Sequence, residues 1–97
     1  MNQADDYKAE IARYLEGFGT NVRELRSAVM PALSQERLAQ LTNLHRTEIG
    51  KIEQGKVDPH LTTLVVLAHG LGAKLDDLVT DLWVPTHRKP SQTKPRS

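Results

Sequence analysis

No cysteine occurs in the chain. Disulfides, thiolate metal sites and cysteine nucleophiles are thereby excluded, and a reducing compartment suits the composition. Aromatic side chains are scarce too, with one Trp, one Phe and two Tyr, too few for a β-sandwich built on an aromatic core. No apolar run approaches the roughly 18–20 residues of a membrane span. The residues after Met1, "NQADDYKAE", are acidic and polar, so no signal peptide is expected there. No glycine-rich phosphate cradle is present. The four histidines, His45, His60, His69 and His87, contain no pair at the i, i+4 spacing of helical metal ligands. Asp76, Asp77 and Asp81 read better as helix-dipole complement and solvated face than as a catalytic carboxylate cluster. These absences argue against an enzyme, a metal site and a cofactor, and no membrane partner is expected.

What is present suits a single soluble domain. The 97 residues are 38% hydrophobic and 26% charged, enough for one modest core. The net charge of +1 hides an asymmetry. Residues 1–16 hold four acids against two bases, a balance of −2, whereas residues 84–97 hold Arg88, Lys89, Lys94 and Arg96 with no acid. Apolar residues at Tyr7, Ile11, Tyr14, Phe18, Val22, Leu25 and Val29 recur in steps of three and four, the signature of a helix face. They predict helices near 5–16 and 18–29, separate or fused according to whether Gly17 and Gly19 break the run. Pro31 sets a stop at Met30. Ser34 is a favoured N-cap, with Leu33 and Leu38 at the positions of a hydrophobic staple, and opens a helix over 34–41. Asn43 suits a tight exit. A third helix spans 45–54, with Ile49 and Ile52 inward and Gly55 beyond its end. Leu61 to Leu71 form a strongly apolar helix, expected at the domain centre and ending at Gly72. A last helix carries Leu75, Leu78, Val79 and Leu82. The segment "VPTHRKPSQTKPRS" at 84–97 has three prolines and no apolar periodicity, and reads as a disordered basic tail. Short helices with short connections give an all-α domain, and the pair 34–41 and 45–54 reads as helix-turn-helix.

The stretch "LSQERLAQLTNLHRTEIGKIEQGKVDPHLTTLVVLAHGLGAKLDDL", extended back to "FGTNVRELR", resembles the Cro/C1-type (XRE-like) helix-turn-helix family over about residues 18–82. The matching residues are spaced across five helices and include Phe18, Val22, Arg26, Ser34, Gln35, Ala39, Ile49, Glu53, Gly55, Pro59, Leu71 and Leu75. The resemblance implies a compact, lambda-repressor-like five-helix domain at 18–83, preceded by an N-terminal helical extension at 1–17 and followed by the tail at 84–97. It implies a bacterial, cytoplasmic, nucleoid-associated transcriptional regulator, such as a repressor, that binds double-stranded DNA as a homodimer on a palindromic operator. Three features depart from the family pattern. "VMPAL" lengthens the turn before Ser34, Asn43 stands where Gly is common, and His45 replaces the usual Ser or Thr cap. The competing reading is a protein-interaction adaptor or antitoxin-like module with DNA binding secondary or lost; Glu48 and the near-neutral charge motivate it.

On a helical wheel the 45–54 segment turns Arg46, Thr47, Gly50, Lys51 and Gln54 away from Ile49 and Ile52. Arg46, Thr47, Lys51 and Gly50 are therefore the expected base-reading set. Glu48 either caps the backbone at His45 or accepts from a cytosine amino group. Phosphate contacts are expected from Gln35, where the resemblance places an anchor, and from His45, Gln54, Lys56, Arg37 and Arg23. The family pairs the residues matching Arg26 and Glu53, so an internal ion pair is expected here. Leu82 and Trp83 form either a dimer surface or a packing contact with the first helix.

Overall fold

The computed structural model describes residues 3–82, which form five helices with no strand among them. The expected tail at 84–97, and Trp83, lie outside the described residues. Helix α1 runs from Gln3 to Ala28. Helix α2 spans Gln35–Thr42, α3 Arg46–Glu53, α4 Leu61–Leu71 and α5 Leu75–Leu78. No helix among the described residues is long and apolar enough to cross a membrane.

Helix α1 passes through Gly17 and Gly19 without a break. Of the two outcomes left open, separate or fused, the helix is fused, and these glycines serve packing rather than backbone freedom. A β-carbon on Gly19 would lie 2.5 Å from the Glu53 carbonyl oxygen and also against that of Ile52. Only glycine lets α1 cross the end of α3 this closely. A β-carbon on Gly17 would meet the Leu82 side chain at 2.7 Å. The chain then turns through a cis Met30–Pro31 peptide, and the Leu33 N–H donates to the Arg26 carbonyl.

Ser34 adopts an extended conformation and its hydroxyl oxygen accepts from the Arg37 N–H at 3.0 Å, capping α2. Leu33 packs against the core cluster that contains Leu38, as a hydrophobic staple requires. Thr42, one residue beyond the expected end at 41, is instead the last residue of α2 and is buried. Its hydroxyl donates to the Leu38 carbonyl at 2.7 Å and accepts from the Leu44 N–H at 3.3 Å. That side chain shapes the turn, and Asn43 completes it at φ 61°. Helix α3 follows after two further residues, and Gly55 leaves it with φ 73°.

The core joins Phe18 and Val22 of α1, Leu38 of α2, Ile49 and Ile52 of α3, Leu67, Ala68 and Leu71 of α4, and Leu78 of α5. Helix α4, expected at the centre, buries one side only; Leu61 and Val65 are 66% and 52% exposed. Helix α5 is shorter than expected. After Leu78 the chain turns, and Asp81 takes φ 65°, so the helix does not reach Leu82. The Asn21 side-chain amide donates to the carbonyls of Leu78 and Thr80, at 2.9 and 2.8 Å, fastening this turn to α1.

Two glycine substitutions should act in opposite directions. Gly19→Ala is expected to cost about 1–3 kcal/mol, as overpacking does, and to lower Tm by about 4–8 °C per kcal/mol. Gly50 has only the Gln35 amide oxygen, at 4.0 Å, near the site of a β-carbon. Gly50→Ala should therefore stabilise α3, by up to about 1 kcal/mol. Thermal denaturation of both variants checks the pair, and equal destabilisation would contradict the packing assigned to Gly19.

Candidate nucleic-acid interface

The site begins with a buried carboxylate. Glu53, at the end of α3, is 3% exposed. Arg26 of α1 grips it with both arms of its guanidinium, Nε to Oε2 at 2.7 Å and Nη2 to Oε1 at 3.0 Å. The Gln35 amide nitrogen, at the start of α2, donates to Oε1 at 2.9 Å. Arg23 donates to the Glu53 backbone carbonyl at 3.1 Å, and its Nε lies 3.9 Å from Oε1. Arg26 also donates to the Leu33 carbonyl at 2.9 Å, just before the Ser34 cap. A carboxylate in apolar surroundings is tolerated only when its oxygens are saturated this way. The network ties α1, the beginning of α2 and the end of α3 into one unit.

With Ile49, Ile52 and Glu53 turned inward, α3 presents its other side to solvent. Arg46, Thr47, Lys51 and Gln54 are exposed there, His45 is exposed at the cap, and Lys56 is exposed just beyond the helix. Gly50 is half-buried on the flank nearest Gln35. Glu48 is half-buried in the first turn, where the helix dipole favours its charge. The reciprocal capping contact, one of the two roles weighed for it, is not formed: among the described residues it makes no hydrogen bond to the His45 N–H, and the His45 side chain makes no cap bond either. Helix α3 thus starts on backbone geometry alone, with His45 extended.

The expected phosphate residues divide. Lys56, His45 and Gln54 are exposed at the two ends of α3, and Arg37 is exposed on α2, where it donates to the Gln40 amide oxygen at 3.0 Å. Gln35 and Arg23 are turned toward Glu53, so their first task is structural. A partner that sequence spacing did not reveal is Glu36, whose carboxylate lies 3.8 Å from Arg46 Nε with the two side chains 75% and 63% exposed. Such an exposed pair contributes little and gives way to a better partner. Leu82 packs inward, over Gly17 and against the core cluster, the second of the two roles weighed for it. Among the described residues no group of three histidines or carboxylates is placed to hold a metal ion.

A capped helix followed by a tight left-handed turn, holding a polar second helix at the surface, defines a protein of the helix-turn-helix class. The chain belongs to this family: the family model described as a helix-turn-helix domain matches residues 9–82, and the relatives place it among the Cro/C1-type regulators. Control protein C.SmaI of Serratia marcescens is 42% identical over 60 residues, 62% of this chain and 69% of that protein. Control protein C.MunI of Mycoplasma sp is 37% identical over 65 residues, 67% of this chain and 86% of that protein. The crystal structure of the restriction-modification controller protein C.AhdI from Aeromonas hydrophila superposes with a TM-score of 0.62 at 39% identity, covering 66% of this chain and 94% of that one. The chain is therefore similar to DNA-binding transcription regulators rather than to enzymes.

Removing Glu53 should strand Arg26 and release the start of α2 together. Glu53→Ala is expected to cost about 3–5 kcal/mol, the scale for breaking a buried pair from one side. Urea denaturation measures it; a cost under about 1 kcal/mol, the range of exposed pairs, would show that the network does not hold the motif.

Proposed function

We propose that the chain is a controller-type transcriptional regulator that binds a palindromic operator as a homodimer, with α3 in the major groove. The observation that carries this reading is the exposed row Arg46, Thr47, Lys51 and Gln54 on a helix anchored from behind by Glu53. In this docking geometry, residues early in the second motif helix meet base edges while the first helix crosses the backbone. Arg46 is the reader for guanine, because its fork can take O6 and N7 together. Thr47 offers a hydroxyl and a methyl, and Lys51 reaches a base or a phosphate one turn on. Glu48, lacking its capping bond, keeps its carboxylate for a cytosine amino group. His45, Gln54, Lys56 and Arg37 flank the row as phosphate contacts, and the N–H groups at the start of α2, beside Gln35, add a partial positive charge. Restriction–modification genes are the proposed targets, supported by the name of C.AhdI as a restriction-modification controller protein and by those of the two other relatives as control proteins.

The homodimer rests on the reach of one helix, which reads only a few base pairs, whereas two-fold proteins read half-sites about 34–36 Å apart. The surface proposed for it is the exposed apolar set Leu61 and Val65 on α4 with Leu75 and Val79 at α5, two elements that pack together. Leu82, already committed to α1, is not needed there.

Selection from a random duplex pool should return a two-fold symmetric sequence. Arg46→Ala should then lose about 1–3 kcal/mol of discrimination, roughly 5- to 150-fold, at one position per half-site with Tm unchanged. Glu48→Gln should alter preference at a single different position. A pool with no preferred sequence would favour the adaptor reading instead. Val65→Asp should leave the fold intact and shift sedimentation from dimer to monomer; a wild-type chain that sediments as monomer with and without DNA would remove the dimer.

A further inference from the structure

The loop between α1 and α2 carries the most exposed large apolar side chain among the described residues. Met30 is 91% exposed, and Pro31 and Ala32 beside it are exposed as well. The base of this loop is clasped. The Leu33 N–H donates to the Arg26 carbonyl at 3.1 Å, and Arg26 Nη1 donates to the Leu33 carbonyl at 2.9 Å. Leu33 itself packs against the core. Residues 27–32 are thereby closed into a short loop, and the ring of Pro31 fixes one of its backbone torsions. The same Arg26 grips Glu53, so the apolar tip is mounted on the network that orients α3.

We propose that the Met30 tip packs on deoxyribose of the DNA backbone, beside the phosphate that faces the start of α2. The contact is apolar in kind and independent of base sequence. It rests on the docking proposed above, and chain length places the tip. In that docking the first motif helix crosses the backbone, and its N-terminus offers free N–H groups to a phosphate. Met30 precedes the Ser34 cap closely, about 14 Å at most along the chain, so sugars next to that phosphate are within its reach. Charge supports the side. Arg23 is half-exposed and turned toward the end of α3, and Arg37 is exposed in the first turn of α2. Glu24, the exposed acid next to Arg23, instead lines a cleft with Asp77 and Asp81 on the α5 side. Glu36 is engaged with Arg46. The loop thus emerges between two cations that suit phosphates, and its tip suits the sugar that lies between phosphates. A thioether fits such a surface because it is polarizable and adapts to irregular shape. With its base clasped, the loop has less freedom to lose on binding.

Hydroxyl-radical footprinting of the full chain on its selected duplex tests this, because cleavage reports how open each sugar is. The expected result is a group of protected sugars that Met30→Ser uncovers, while the rest of the footprint and the Tm stay unchanged. Met30→Ser should also bind that duplex about tenfold more weakly, the weight of covering roughly half a methionine side chain. The dependence of affinity on salt should keep its slope, since no charge is removed. Met30→Leu, which keeps an apolar tip, should retain both protection and affinity. A Met30→Ser chain that binds and protects like the wild type overturns the contact while Arg46 and the operator reading stand, and would leave the tip to a protein partner. A loss that comes with a shallower salt slope overturns it too, by assigning the effect to phosphate. A wild-type chain that selects no sequence from the pool overturns the operator reading and this contact together, and is seen before any Met30 variant is made.

Discussion

A carboxylate removed from water must be surrounded by donors, and Glu53 imposes that condition on most of the fold. Its donors come from two turns of α1 and from the first residue of α2, while its own backbone lies at the end of α3. Satisfying it fixes where three helices meet. Gly19 makes the meeting possible, because α1 can reach Arg23 and Arg26 across α3 only by passing against the carbonyls of Ile52 and Glu53. The exposed row on α3 is therefore oriented from beneath by packing and hydrogen bonds. Its own propensity contributes little, since eight residues with a central glycine are too few for a stable isolated helix.

The features legible in sequence are those that act locally. Ser34 caps α2 because its hydroxyl reaches an N–H three residues on, and Asn43, Gly55 and Gly72 adopt the left-handed conformations their positions suggested. The resemblance supplied the Arg26 and Glu53 pair, which spacing alone could not, since 27 residues separate the partners. Illegible features depend on distant neighbours. Gly17 and Gly19 look like a break until Leu82 and the end of α3 are seen against them. Thr42 looks polar and terminal until its hydroxyl is found bridging the turn. The early end of α5 follows from the Asn21 amide, which takes the Leu78 and Thr80 carbonyls from more than fifty residues away.

The site shows the same division. Helical periodicity separates Arg46, Thr47, Lys51 and Gln54 from Ile49 and Ile52 without help from tertiary structure. It could not show that Gln35 and Arg23 face inward to Glu53, nor that Glu48 lacks its capping bond. The net charge of +1 also becomes intelligible. Glu53 and Glu36 are partnered with the arginines nearest the motif, so part of the acid count offsets cations at the motif itself.

The Arg46–Glu36 contact bears on how such a protein searches a genome. Any DNA reader is diluted by the roughly 10⁶–10⁹ competing sites of a chromosome, and its loss to them grows with unspecific phosphate attraction. With Glu36 alongside, the edge that α3 exposes carries one less effective positive charge. On the proposed docking, a groove that offers Arg46 two well-placed acceptors replaces Glu36 as its partner. So exposed a pair contributes only about 0–1 kcal/mol, so exchanging it costs binding little, while Glu36 still trims the charge this edge shows to unspecific phosphate.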